Sequence, residues 1–207
     1  MLSRFADLAS TLLDEKERKL AVLLEHLLSQ IPYNASPLVV DIMPTYYEGN
    51  QTLEPDPVYR PLMYLDSYGT GTDFARVTRI FIENTCWHIE GCLKVLADPR
   101  PRFRSYSGPF GPLVIALRNH KVIPPELAEQ LLKFNKTIYI PAHHPSALYT
   151  PRSDLHQSSF TALEAAQSFV VMRKLSIPLF KLLAASGVHL PHDWKDFDDN
   201  WLSWQDE

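Results

Sequence analysis

The stretch "FNKTIYIPAHHPSALYTPRSDLHQ", residues 134–157, concentrates a lysine, three histidines and three prolines behind an apolar run. Lys136 and His143 are separated by six residues. In an uninterrupted helix seven positions make nearly two turns, which puts both side chains on one side, about 10 Å apart. Pro141 makes continuation of the helix unfavourable, because its ring meets the carbonyl of Thr137. A break there folds His143 back toward Lys136. Either way, a cation beside an imidazole suits phosphodiester chemistry. The imidazole moves a proton from a ribose 2′-hydroxyl, the cation holds the phosphate oxygens, and no metal is needed. The same residues also fit a plain helix end, with Asn135 and Lys136 closing the helix and the histidines bonding carbonyls.

A second group of cations lies in "DPRPRFRSYSGPFG", where Arg100, Arg102 and Arg104 alternate with other residues and Phe103, Tyr106 and Phe110 lie between or after them. Arginines interleaved with aromatics match phosphates and stacked bases. A solvated arginine loop has the same composition. Asn135, Arg100, Arg102 and Arg104 are therefore the candidate ligand-binding residues, and Lys136 and His143 the candidate catalytic pair.

Other chemistry finds less support. His88 and Cys92 share a helix face and would need His143 or His144 to make a metal site. No His-Glu-x-x-His or Cys-x-x-Cys spacing accompanies them, so no metal is assigned. A phosphate-binding P-loop, a dinucleotide glycine pattern and a Gly-x-Ser-x-Gly elbow are absent, and no cofactor is expected.

The elements that must position these residues are helical. Residues 3–31 carry Leu12, Leu20, Leu23, Leu24, Leu27, Leu28 and Ile31 on one stripe, and Pro32 stops it. Its charged run "DEKERK" reads as solvated first turns. Residues 72–97 form a central helix, capped by Thr72 or Asp73, with Phe74, Val77, Phe81, Cys92 and Val95 along a broad face. Ile80, Trp87 and Leu96 widen it. Glu83, Asn84, His88 and Glu90 are polar groups on or near this helix, and any that are buried need partners. A third helix spans 112–119. A fourth starts at Pro124 or Pro125, with Glu126 in its first turn and Leu127, Leu131 and Phe134 inward. The last covers 158–186, capped by Ser158 or Ser159 and ended by Gly187, with Pro178 as a kink. Phe160, Leu163, Ala166, Val170, Leu175, Leu179 and Leu182 point inward. Residues 32–71 are rich in Pro and Tyr and read as a long loop insertion, with "PLVVDIM" as a short strand or an extended apolar segment. The fold class is all-α: an up-and-down bundle of about five helices in one domain over 1–190, followed by an acidic, Trp-containing tail at 191–207.

Composition bounds the setting. The chain has 207 residues, 45% hydrophobic and 21% charged, enough for one core. Its formal charge of −4 gives no global electrostatic case for nucleic acid. Cys86 and Cys92 point to different faces of one helix and cannot bridge each other, which suits a reducing cytosol. Neither a leader peptide nor a run of the ~18 apolar residues a membrane span needs is visible, so a cytoplasmic protein is expected.

The central helix "RIFIENTCWHIEGCLKVL", the aromatic-glycine opening "SGPFGPLVIAL", the helix "PPELAEQLLKFNK" and the following Ala-His pair together resemble the HEPN superfamily of helical bundle domains, over roughly residues 72–185. The resemblance implies a bundle that pairs as a homodimer. Many such domains are metal-independent ribonucleases of toxin, defence or RNA-processing systems, with an Arg, a polar residue and then a His after four to six intervening residues. Lys136 stands at the Arg position and His143 at the His position. Lys keeps the charge but loses the planar fork. Thr137 follows the Lys, and Asn135 precedes it. "Arg118-Asn119-His120" has the familiar residues at the wrong spacing. Non-catalytic members act as interaction or ligand-binding modules. The expectation is thus a module that binds nucleotide, RNA or protein without turnover, with a metal-independent ribonuclease as the alternative.

Overall fold

The computed structural model describes residues 11–30, 74–100, 108–143 and 160–188, without the side chains of residues 27–30, 74–77 and 80. Every regular element among them is helical: α1 (Glu15–Gln30), α2 (Phe74–Ala97), α3 (Phe110–Asn119), α4 (Pro125–Phe134), a π-turn (Asn135–Tyr139), α5 (Ile140–His143) and α6 (Ala162–Ala185). α4, the π-turn and α5 run on without a gap as one rod, so the architecture is an all-α bundle of five helices. The 32–71 insertion, the 191–207 tail, and the proposed caps Thr72, Asp73, Ser158 and Ser159 lie outside the described residues.

α2 and α6 form the centre and make the most extensive pairing, with α1 packed mainly on α6. Ile82, Cys86, Ile89, Cys92, Leu93 and Leu96 of α2 are fully buried, as an apolar helix in mid-bundle requires. On the rod, Leu127, Leu131, Phe134 and Ile138 are buried at spacings of four and three.

Helix ends follow local chemistry. The helix expected over 3–31 is interrupted at Leu13 and Asp14: Thr11 and Leu12 are helical, and α1 then starts at Glu15 behind a reciprocal cap. The Glu17 N–H donates to Asp14 Oδ1 (2.8 Å) and the Asp14 N–H donates to Glu17 Oε2 (2.7 Å). Glu17 is not solvated. It is buried and pairs with Lys174 of α6 at 2.8 Å, while Lys174 also donates to the Leu12 carbonyl. α6 begins at Ala162, capped by Thr161, whose hydroxyl accepts from the Glu164 N–H while Glu164 accepts from the Thr161 N–H. It ends at Gly187 with φ +82°, where the Gly187 and Val188 N–H groups close onto the Ala184 and Leu183 carbonyls. Leu23 and Leu163, both expected to point inward, are exposed.

The largest departure is at Pro141. The helix does not stop before it. The Ile140 N–H bonds the Asn135 carbonyl, five residues back, and helical backbone continues through Pro141 to His143. A π-turn holds one extra residue, and this register change offsets the carbonyl that an α-helix would press against the proline ring. The Thr137 hydroxyl donates to the Lys133 carbonyl at 2.6 Å, a side-chain bond into the ladder where its register changes.

Candidate functional site

The end of the rod lies against α2. There the His143 Nδ1 is 3.0 Å from the Tyr139 carbonyl, one turn back. Its imidazole stacks on the Tyr139 ring with centroids 4.3 Å apart and planes 14° from parallel. The indole of Trp87, on α2, meets the imidazole edge-on at 6.4 Å. His143 Nε2 is buried and has no hydrogen-bond partner among the described residues. A carbonyl only accepts, so Nδ1 carries the donated proton, and in a neutral imidazole the lone pair is then on Nε2.

Two bonds from α2 hold this end in place. The Tyr139 hydroxyl donates to Glu90 Oε2 at 2.7 Å, and Glu90 also pairs with Lys94 at 2.6 Å. Burial pushes the Tyr139 hydroxyl pKa above its ordinary value, and the Glu90 carboxylate pushes it further. Arg79 donates to Glu83 at 2.9 Å and reaches the Ala142 carbonyl at 3.4 Å, a cation at the C-terminal end of the rod.

Lys136 is exposed on the π-turn. The π-turn lies between Lys136 and His143, so the pair does not follow the α-helical count of seven positions. Asn135 is part-buried and lies against α3, where a Cβ on Gly111 would come within 3.0 Å of its Nδ2. Arg100 donates to the Leu96 carbonyl and so closes the C-terminal end of α2. Arg102 and Arg104 lie outside the described residues. The described candidates have different surroundings: Arg100 closes the end of α2, Asn135 lies against α3, Lys136 is exposed on the π-turn, and His143 lies against Tyr139 and Trp87.

The sequence does not mark Trp87 and Tyr139 as the rings against His143, nor Glu90 and Arg79 as the α2 groups that bond the Tyr139 hydroxyl and the Ala142 carbonyl. Trp87 had been read as widening the apolar surface, yet it is 41% exposed. The usable signals were the i, i+4 spacing of Tyr139 and His143, and Arg79, Glu83 and Trp87 at successive turns of α2.

His88 is buried elsewhere. Its Nε2 lies 2.7 Å from the Ser176 hydroxyl, and that hydroxyl donates to the Met172 carbonyl, so the imidazole is the donor of the pair. Its ring meets Phe180 edge-on at 5.6 Å, and Cys92 Sγ lies 3.9 Å away. No group of three or more His, Cys, Asp or Glu among the described residues is arranged to hold a metal. Cys86 and Cys92 are free and fully buried, and burial raises both thiol pKa values. No described helix is long and apolar enough to cross a membrane.

Comparison with family models, with curated proteins and with solved structures finds no match to this chain.

Proposed function

We propose that this protein is a HEPN-like cytoplasmic binding module for nucleotide or RNA that does not turn its ligand over, and that it acts as a homodimer. The observation that carries the reading is the state of His143. One ring nitrogen is committed to the rod's own backbone, and the other has no partner among the described residues and lies beside a partly exposed indole. A buried acceptor without a partner is costly, and ligand sites are where such groups are found. Lys136, exposed on the adjoining π-turn, supplies a cation for a ligand phosphate.

Anisotropy of a labelled single-stranded RNA across a salt series tests the reading. Salt-sensitive binding that weakens in Lys136→Gln supports it. Binding that is absent at low salt removes it and leaves a protein partner as the remaining ligand. Sedimentation of the purified chain checks the homodimer.

The ribonuclease reading keeps one observation in its favour: a general base needs a free lone pair, and His143 Nε2 has one. Against it stands the missing arginine fork, since lysine keeps the charge without the bidentate geometry. Equal RNA turnover by wild type and His143→Ala, with EDTA present, excludes it.

A further inference from the structure

Resting on the binding reading above, we infer that Trp87 and His143 form a nucleobase subsite, in which the indole carries the face of the base and His143 Nε2 accepts a hydrogen bond from an N–H on the base edge. His143 is the residue that selects among bases. Lys136 acts on the phosphate and does not share this role.

The tautomer sets the chemistry. With Nδ1–H given to the Tyr139 carbonyl, the neutral ring has only an acceptor left. A phosphate oxygen is also an acceptor, so it gains nothing from Nε2. A base bearing an exocyclic amine or a ring N–H supplies the missing donor. The position of the ring is held from several sides: the imidazole is stacked on Tyr139, Tyr139 is tied to Glu90, and Arg79 holds the Ala142 carbonyl next in sequence. A ring fixed this way reads a donor without first being ordered by the ligand.

Trp87 supplies the surface. It is among the few large apolar side chains left exposed, at 41%, and the only aromatic among those described. Base stacking on an aromatic ring tolerates any base, so Trp87 gives affinity and His143 gives choice. Nε2 is buried in this structure, so a base reaches it only after a neighbouring side chain moves, and exposed side chains change rotamer within about nanoseconds.

The experiment is an NMR titration of the whole chain with two uncharged nucleosides, adenosine and purine riboside, which differ only in the 6-amino group. Uncharged probes remove the phosphate contribution. The expected result is roughly tenfold tighter binding of adenosine, the factor expected when a buried acceptor is left unpaired. The preference disappears in His143→Leu and survives in His143→Gln, whose side-chain carbonyl still accepts. Trp87→Leu weakens both nucleosides alike. Equal affinity of wild type for the two nucleosides overturns the subsite, as does a preference that persists in His143→Leu. If RNA still binds with salt sensitivity in that case, only the subsite falls. If neither RNA nor nucleoside binds, the binding reading falls with it.

Discussion

The imidazole of His143 lies flat on the phenol ring of Tyr139, 4.3 Å between centroids, while the Tyr139 hydroxyl reaches across to Glu90 on α2. Two residues one turn apart on the rod thus link its end to a helix about fifty positions earlier in the chain. The π-turn ends at Tyr139, so the altered helical register and the stacked pair are parts of one arrangement.

Removing the Tyr139 hydroxyl tests that link. Tyr139→Phe keeps the ring stack and loses the bond to Glu90, which is expected to cost about 1 kcal/mol in urea unfolding at pH 8. The same residue gives a pH dependence. Its folded pKa is raised, so its contribution is complete below the unfolded tyrosine value of about 10 and declines above it, where the unfolded chain releases the proton first. Stability measured at pH 8 and pH 11 should fall more for wild type than for Tyr139→Phe. An equal fall would remove the link to this hydroxyl.

The two thiols should be silent in the folded state. Cys86 and Cys92 are fully buried with raised pKa values, so neither offers a thiolate to a reagent. A colorimetric thiol assay is expected to titrate neither in buffer and both in denaturant. Rapid reaction in buffer would contradict the packing of α2.

Lys121 offers a stabilising substitution. It has φ +55° at the end of α3, where its N–H and that of Val122 close onto the Arg118 and Leu117 carbonyls. A side chain there costs about 1 kcal/mol of backbone strain, so Lys121→Gly should raise stability by roughly 0.5–1 kcal/mol. At Gly187, with φ +82° and open space around it, Gly187→Ala should lower stability by a similar ~1 kcal/mol. Chemical denaturation of the two variants should therefore move in opposite directions.

Gly111 and Asn135 should be coupled. A methyl on Gly111 would meet Asn135 Nδ2 at 3.0 Å, tight enough that the amide must shift. In an Asn135→Ala background, Gly111→Ala should gain about 0.5–1 kcal/mol from helix propensity. In the native background that gain should shrink or reverse. A double-mutant cycle measures the difference, and strict additivity would mean that the two groups do not press on each other.

Lys174 and Glu17 tie α6 to the start of α1. Lys174→Ala leaves a nearly buried carboxylate without its cation and is expected to cost about 2–3 kcal/mol. Lys174→Ala combined with Glu17→Gln should recover part of that loss in thermal unfolding.

The sequence by itself determined the helices, because apolar spacing and end chemistry are local. Leu127, Leu131 and Phe134 had to face a core, Gly187 had to end α6, and an apolar α2 had to lie in the middle. Local rules misjudged the places where a distant partner intervened. Glu17 leaves the solvent for Lys174 of α6. Pro141 is the clearest case. Its clash with the carbonyl four residues back holds for an α-helix, and a single extra residue in the turn avoids it. That register also bears on the candidate site. The sequence pairs Lys136 with His143 by counting positions. The tertiary structure sets the Trp87 ring against His143, because only folding brings α2 against the end of the rod.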